Sequence, residues 1–222
     1  VMLSAHFDSW DGASGATDNG TGTLVMMEAM RILRQVYPNP KRTIIAGHWT
    51  AEEKGLVGAR AYAEDHPDVV AGLHAFFNQD NGTGRIMRIN AAGLPNAAAQ
   101  MNEWLAKIPA EMRAMLNNGQ PIGPGSPSGG GSDDAAFACH GAPAFGLGSL
   151  SWNYGASTWH SNRDTFDKLV FDDLRYNATL IAMLTYLASE APSKVTRERI
   201  DLGQGRAWPA CTRAPRQTLP RL

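Results

Sequence analysis

The sequence has few cysteines, no long apolar run and no excess of either charge. Its 222 residues include 20 lysines and arginines against 21 aspartates and glutamates, which gives a formal net charge of -1. Because nucleic-acid-binding domains carry a basic excess, this balance argues against a nucleic-acid partner. No stretch approaches the roughly 18 consecutive apolar residues that a membrane span requires. We therefore expect a globular domain without a membrane span.

Only two cysteines are present, Cys139 and Cys211, and they lie far apart in the sequence. They form neither a C-x-x-C motif nor a cysteine–histidine cluster, so they do not indicate a metal site. The pair is sufficient for one disulfide but does not predict one. Because Cys139 lies in a semi-apolar stretch, we expect it to be a buried free thiol.

Short apolar segments alternate with segments of helical periodicity along most of the chain. Strands are predicted at 1–6, 42–49, 72–78, 84–89 and 142–147, and helices at 23–36, 52–66, 95–118 with a break near Pro109, 132–140 and 171–189. This alternation is typical of an α/β fold with a largely parallel sheet and helices on both faces. In such sheets ligands bind beyond the carboxyl ends of the strands.

The two ends of the sequence differ from this regular pattern. The chain opens directly on an apolar strand pattern, so we expect a fragment that lacks its N-terminal strands and any targeting signal. Residues 1–191 are predicted to form the main domain, and the glycine-rich segment 119–131 a mobile loop or insertion within it. Residues 192–222 are basic and contain prolines, which indicates an extension or a disordered tail.

Side chains that bind metals occur in five separate segments, most of them at or just after a predicted strand. They are His6 with Asp8, Asp18, the pair Glu52 and Glu53, Asp80, and His160. Each is weak alone: Asp18 or Asn19 could simply cap the helix that follows, and the paired glutamates could be an acidic first helical turn. Together they would supply two histidines, three carboxylates and one spare base at one edge of the sheet, which suits a two-zinc site.

Several of these residues have a chemical role that follows from their position. Asp8 lies on the same side of an extended chain as His6 and could accept its second ring N–H. The two oxygens of Asp18 could bridge cations about 3.5–4 Å apart. Of the neighbours Glu52 and Glu53, one could bind a cation while the other takes a proton from water.

The order of these motifs resembles the M28 family of zinc peptidases. The segments HFDSWD and WTAEEKGLVGA look most like its carboxypeptidase Q-like branch, and the likeness runs from His6 to about Ser189. The resemblance implies a three-layer α/β/α sandwich with a mixed, largely parallel sheet, and residues 1–191 as the peptidase domain. It implies two Zn²⁺, which Co²⁺ or Mn²⁺ could replace.

The resemblance also implies a role for each site residue. One zinc would be held by Glu53 and His160 and the other by His6 and Asp80, with Asp18 between them. Glu52 would be the general base, and Asp8 would orient His6. Asp164 is expected to brace the His160 loop rather than to bind metal.

The sequence departs from the family's pattern in two places. Many members have the motif S-D-H where this chain has Ser132, Asp133 and Asp134, so any role of that histidine is lost. Some members place a tyrosine next to the last zinc histidine to stabilise the oxyanion. Here the only nearby tyrosine is Tyr154, which we assign that role; the alternative is an aromatic packed in a loop.

The resemblance predicts an exopeptidase, with a peptide or dipeptide as its partner and metal-activated water as the nucleophile. We expect an aminopeptidase that acts at a free N-terminus, with a dipeptidase of the carboxypeptidase Q kind as the alternative. A catalytically inactive peptidase-like binding domain is a second alternative, which substitution at the base or at a ligand would indicate. Members of this kind are commonly exported, so a secreted or periplasmic location is expected.

Overall fold

A computed structural model describes residues 1–127 and 131–216, and over these residues five strands form one sheet. The strands are β1 (Met2–His6), β2 (Ile45–Trp49), β3 (Phe76–Gln79), β4 (Ile86–Asn90) and β5 (Ala144–Ser149). Their order across the sheet is β2-β1-β3-β5-β4. Only β4 runs antiparallel to its neighbour, so the other four strands end at the same edge.

Helices cover both faces of this sheet. They are α1 (Thr21–Val36), α2 (Val57–Asp65), α3 (Pro67–Gly72), α4 (Pro95–Leu105), α5 (Ala110–Arg113), α6 (Asp134–Ala138) and α7 (Phe171–Glu190). One core joins the sheet to α1, α4 and α7, and a second core joins it to α2, α3 and α6. The predicted three-layer α/β/α sandwich with a mixed, largely parallel sheet is therefore confirmed.

The alternation of side chains along the central strands produces these two cores. Leu3 and Phe77 belong to the core under α1, α4 and α7, whereas their neighbours Met2 and Phe76 belong to the other core. All four side chains are completely buried. Because successive side chains of a strand point to opposite faces, a strand covered on both sides is mainly apolar on both of its faces. This is why the strands read as short apolar runs.

The predicted helix over 52–66 begins later than expected, at Val57. Gly55 and Leu56 both have a positive φ, and this left-handed backbone ends the turn that carries the paired glutamates before the helix starts. At the other end, Pro67 starts a separate short helix, α3, because proline suits the first position of a helix. The strand predicted at 72–78 is accordingly shorter and begins at Phe76.

The C-terminal extension packs against the domain over the residues that the structure describes, 192–216. Val195 is buried and its N–H donates to His74 Nδ1, and Ala214 is also buried. Arg216 pairs with carboxylates of α2. Residues 217–222 of the predicted tail, and 128–130 of the predicted glycine-rich loop, lie outside the described residues. In the described part of the chain, no helix has the length and apolarity to cross a bilayer.

The expected free thiol at Cys139 is wrong, because Cys139 and Cys211 form a disulfide. Cys139 follows α6, and the C-terminal extension that carries Cys211 packs back against this part of the domain. The bond closes a loop with a sequence separation of 72 residues. No local pattern signals such a contact, since it depends on the path of the extension over the finished domain.

We expect the double variant Cys139→Ser/Cys211→Ser to unfold more easily than the parent. A cross-link restricts the unfolded chain, and for a loop of this length its removal costs roughly 2–4 kcal/mol in the free energy of unfolding. Denaturant titration followed by circular dichroism measures the change. A reducing agent should lower the stability of the parent to the same extent and leave the double variant unaffected. Equal stability of the two proteins would contradict this account.

Candidate metal centre

The strand ends bring four chemically active side chains to one place. His6 is the last residue of β1, Asp80 follows the last residue of β3, and Glu52 and Glu53 lie in the turn after β2. Because β1 lies between β2 and β3 in the sheet, His6 is flanked by the acids on both sides. The chain crosses from one side of β1 to the other between β2 and β3, which is the kind of switch point where such sheets bind ligands.

Two further residues, distant in sequence, complete two adjoining clusters. In the first, His6 Nε2 lies 3.1 Å from Asp80 Oδ1 and 3.3 Å from Asp18 Oδ1. In the second, His160 Nε2 lies 3.0 Å from Glu53 Oε2 and 3.6 Å from Asp18 Oδ2. In each cluster the potential ligand atoms lie within 4.8 Å of one another. Asp18 belongs to both clusters and turns one oxygen toward each.

The loop that carries Asp18 is fixed by residues from the far end of the domain. The Asp164 carboxylate accepts the backbone N–H groups of Thr17 and Asp18 at 2.6 and 2.8 Å. Thr17 Oγ1 also donates to Thr158 Oγ1, which ties this loop to the one that carries His160. Asp164 therefore braces Asp18 and its neighbourhood directly, a contact that the sequence did not predict.

Asp18 does not cap the following helix. Instead, the neighbouring Asn19 accepts the N–H of Gly22 through its side-chain oxygen at 3.1 Å. This leaves the Asp18 carboxylate turned toward the two histidines. The sequence left open whether Asp18 or Asn19 caps the helix. In the structure Asn19 binds the helix N–H and Asp18 faces the histidines.

Asp8 orients the site in a different way from the one expected. The ring nitrogen Nδ1 of His6 hydrogen-bonds the backbone carbonyl of Asp8 at 3.0 Å, while the nearer carboxylate oxygen of Asp8 is 3.7 Å away. The Asp8 carboxylate instead accepts the N–H groups of Glu52 and Glu53 at 2.9 and 3.2 Å. It therefore holds the glutamate turn, and the backbone of the same residue sets the tautomer of His6.

Trp10, to which the sequence assigned no role, contacts Glu53 and His160 of the second cluster. Its indole N–H donates to Glu53 Oε2 at 2.7 Å, and its ring lies 5.1 Å from that of His160. Trp159 lies against His160 as well, with the ring centroids 4.1 Å apart. Lys54 Nζ covers the Trp10 ring at 4.3 Å. The only sequence signal was the presence of a tryptophan beside each histidine motif.

The carboxylates of the site strongly perturb one another. Burial, together with the charges of Asp80 and other nearby acids, raises the pKa of Glu52 to about 8, and burial with the charge of Asp18 raises that of Glu53 to about 7. Burial disfavours a proton on His6, but hydrogen bonds with Asp18 and Asp80 outweigh it and raise its pKa to about 12. Buried carboxylates this close together repel one another, and bound cations would relieve the repulsion.

Unsatisfied atoms in the site support the same conclusion. Among the described residues, Asp18 Oδ2 and Glu53 Oε1 are buried without a hydrogen-bond donor. Buried carboxylate oxygens are costly unless they are paired or coordinate a metal. Imidazole and carboxylate donors of this kind suit zinc. The residues present therefore fit two divalent cations that share Asp18.

Tyr154 lies beside the shared carboxylate. It is partly buried, and burial with the nearby Asp80 and Asp18 charges raises the pKa of its hydroxyl far above the usual value. The Asp18 carboxylate is thus one of the groups that oppose loss of the phenol proton. Its ring packs on Gly82, where an added Cβ would meet the ring at 2.7 Å, so this close approach requires glycine. The hydroxyl thus keeps its proton and faces the site.

Asp133, in the segment that departs from the family pattern, is another member of this neighbourhood. It is completely buried, and both its oxygens lack a hydrogen-bond donor among the described residues. Burial and the Glu52 carboxylate raise its pKa well above the usual range. Asp134, at the position of the family's histidine, begins α6 and lies over Gly146 of β5.

Fold and site together define a class: an α/β protein built around a candidate two-cation centre at the carboxyl end of a parallel sheet. The chain belongs to peptidase family M28, whose sequence model matches residues 1–185. Mouse carboxypeptidase Q is 27% identical over 198 residues, which cover 89% of this chain. The chain spans 40% of the length of that relative.

Solved structures agree with this membership. The Peptidase M28 precursor from Shewanella amazonensis SB2B superposes with a TM-score of 0.74 at 25% identity, over 88% of this chain and 42% of that one. The zinc aminopeptidase from Bacillus subtilis superposes with a TM-score of 0.67 at 23% identity, over 90% of this chain and 48% of that one. The second likeness concerns the fold.

We expect Trp10→Phe to weaken the binding of a divalent cation by roughly 10- to 100-fold, because partners that orient ligands contribute about this much to affinity. Phenylalanine keeps a ring beside His160 but cannot donate to Glu53. Competition between the protein and a chromophoric chelator for Zn²⁺ measures the loss. Trp152→Phe is the matched control, since Trp152 donates to Asp173 outside the site. Unchanged affinity in Trp10→Phe would remove Trp10 from this role.

Proposed function

We propose that this protein is a two-zinc exopeptidase that hydrolyses a peptide bond at a free N-terminus. The observation that carries the proposal is the sharing of Asp18 between the two histidine clusters. A single carboxylate with one oxygen 3.3 Å from His6 and the other 3.6 Å from His160 suits a bridge between two cations. A carboxylate with a purely structural role would not need to face two imidazoles that come from distant parts of the chain.

His6 and Asp80 would hold one zinc, Glu53 and His160 the other, and Asp18 both. When bound, two zinc ions supply positive charge that polarises a carbonyl and lowers the pKa of water from 15.7 to about 7. The structural likeness to the zinc aminopeptidase from Bacillus subtilis supports this metal. Co²⁺ or Mn²⁺ would fit the same donors.

Glu52 is the proposed general base. Its backbone N–H is fixed by the Asp8 carboxylate, and its side chain lies within 4.8 Å of the potential ligand atoms of His6 and Glu53. From this position it takes a proton from the attacking water and delivers it to the leaving amine. Burial and the neighbouring acids raise the pKa of Glu52 to about 8, so its affinity for a proton depends on the charges around it.

Tyr154 is the proposed donor to the developing oxyanion. A phenol that keeps its proton beside Asp18 can donate to an oxygen that gains charge on the substrate carbonyl. In this role the hydroxyl would point to the substrate carbonyl. Packing of the ring on Gly82 keeps the phenol beside the site throughout.

Two alternatives remain from the sequence. The carboxypeptidase Q relatives favour a dipeptidase, which would use the same centre but hold the substrate ends differently. An inactive binding domain is disfavoured because the base and all five ligand positions carry competent residues. The proposed secreted or periplasmic location agrees with the Cys139–Cys211 disulfide, since such bonds persist in oxidising compartments.

We expect Glu52→Gln to lose roughly 10²–10⁴-fold in kcat, because the amide cannot accept the proton. The variant should still bind two equivalents of zinc, measured by atomic absorption after gel filtration. Glu53→Gln is the matched control and should bind less zinc, because the change falls on a proposed ligand. An active Glu52→Gln variant, or one that loses its zinc, would show that Glu52 is not the base.

A small panel of substrates distinguishes an aminopeptidase from a dipeptidase. An aminopeptidase should release nitroaniline from aminoacyl-nitroanilides and shorten N-terminally free peptides, because it holds only the free amine. A dipeptidase should hydrolyse dipeptides and leave those longer substrates intact. Chromatographic product analysis with the zinc-loaded protein decides between them. Cleavage of N-acetylated peptides at internal bonds would contradict both assignments.

A further inference from the structure

A cavity of about 470 Å³ adjoins the candidate centre. Asp80 lies in its wall, and from there the cavity extends across β5 to the edge strand β4, where Arg88 lines its far side. The walls between them carry mainly amide and hydroxyl side chains, namely Asn78, Asn81, Asn90, Asn117 and Ser132. The polar atoms of these side chains offer hydrogen bonds to a polar or charged group of a ligand.

Two glycines of β5 form the floor and let charged side chains lie across it. A Cβ added at Gly148 would meet Arg88 Nε at 3.2 Å, and one added at Gly146 would meet Asp134 Oδ2 at 3.3 Å. Arg88 pairs with Gly148 in the sheet, so its side chain folds back from the edge strand over β5. Any larger residue at position 148 would displace the guanidinium from the cavity.

Arg88 is the only lysine or arginine among the described residues that line this cavity. Within the described part of the chain, no carboxylate lies at ion-pair distance from its guanidinium, whereas Arg85, directly before β4, is paired with Asp173. Asp134 belongs to α6 and lies over Gly146, which is two residues, or about 7 Å, from Gly148 along β5. An anion at Arg88 would therefore be closer to the cation than to this acid.

We propose that Arg88 anchors a carboxylate of the substrate, and this inference rests on the proposed peptidase function. The reach is suitable: β4 is two strands from β3, about 10 Å, and the folded side chain of Arg88 covers part of that gap. One residue of extended peptide spans about 3.5 Å. A carboxylate one residue from the cleaved bond, either an acidic side chain or a free C-terminus, would lie between Asp80 and Arg88.

Arginine provides a planar fork of donors that matches a carboxylate with two parallel hydrogen bonds. The competing explanation is that Arg88 is a solvated residue that protects the edge strand β4 from pairing with other chains. That explanation requires neither the glycine floor nor the placement of the guanidinium over β5. It also predicts no difference between charged and neutral substrates.

The test compares Arg88→Ala and Arg88→Lys with the parent on two matched substrate pairs. Alanyl-alanine against its C-terminal amide reports on a terminal carboxylate, and glutamyl- against glutaminyl-nitroanilide reports on an acidic side chain. We expect Arg88→Ala to lower kcat/KM about 10- to 100-fold for the charged member of one pair, as the loss of one charged hydrogen-bonded contact implies, and to leave the neutral member unchanged. Arg88→Lys should give an intermediate loss.

Arg175→Ala is the control for the loss of one positive charge, because Arg175 is exposed on α7 and, among the residues that the structure describes, forms an ion pair only with exposed Asp172. The affected pair identifies which carboxylate Arg88 holds. Equal changes for charged and neutral members, or no change in either pair, would overturn the proposal. Zinc content and the unfolding midpoint of every variant exclude a loss of folding or of metal as the cause.

Failure of the peptidase function itself gives a different result, since the parent would then hydrolyse none of the four substrates. In that case, calorimetric titration of the zinc-loaded protein with glutamate, glutamine, alanine and alaninamide replaces turnover. Arg88→Ala should then weaken the binding of glutamate relative to glutamine, or of alanine relative to alaninamide. Equal weakening of charged and neutral ligands, or none, would overturn the role of Arg88 independently of catalysis.

Discussion

The two oxygens of the Asp18 carboxylate face two imidazoles, and much of the surrounding structure serves to hold them there. Asp18 is buried, lies within hydrogen-bond reach of His6 and near His160, and has no hydrogen bond of its own to Oδ2 among the described residues. An arrangement of this kind is costly in the absence of positive charge. Two hydrogen bonds therefore hold the loop in place, from the N–H groups of Thr17 and Asp18 to the Asp164 carboxylate.

The parallel sheet supplies the rest of the geometry at little cost. β1 lies between β2 and β3, and all three strands end at the same edge of the sheet. His6 therefore meets Asp80 on one side and the glutamate turn on the other. The left-handed residues Gly55 and Leu56 then delay α2, so Glu52 and Glu53 remain in a turn where Asp8 can accept both of their N–H groups. A helix that started at Glu52 would have committed these N–H groups to its own first turn.

The sequence was sufficient for those parts of the molecule that depend on local pattern. Apolar runs and helical periodicity predicted the sheet and its two helical layers, and the position of His6 and Asp80 relative to strand ends predicted that they would meet. Contacts between distant segments were out of reach. Asp8 binds the glutamate turn through its carboxylate and His6 through its backbone carbonyl. The distances of these two groups from His6 Nδ1 differ by only about 1 Å, and that difference depends on the folded loop. The contact of Trp10 with Glu53 and the Cys139–Cys211 bond depend equally on tertiary packing, so no spacing rule reveals them.

The C-terminal extension shows how far such packing reaches. The N–H of Ile200 donates to the carbonyl of Gly93, and the N–H of Gly93 donates to the carbonyl of Pro124. Trp208 packs on Gly93, where an added Cβ would meet the indole at 2.6 Å, and the Arg199 guanidinium lies over the Trp208 ring. Since Gly123 and Gly125 line the cavity beside Asp80, this chain of contacts connects the extension with the cavity wall. A segment whose composition indicated a tail therefore supports the wall against which a substrate would bind, and the disulfide at Cys139 fixes it to the same face of the domain.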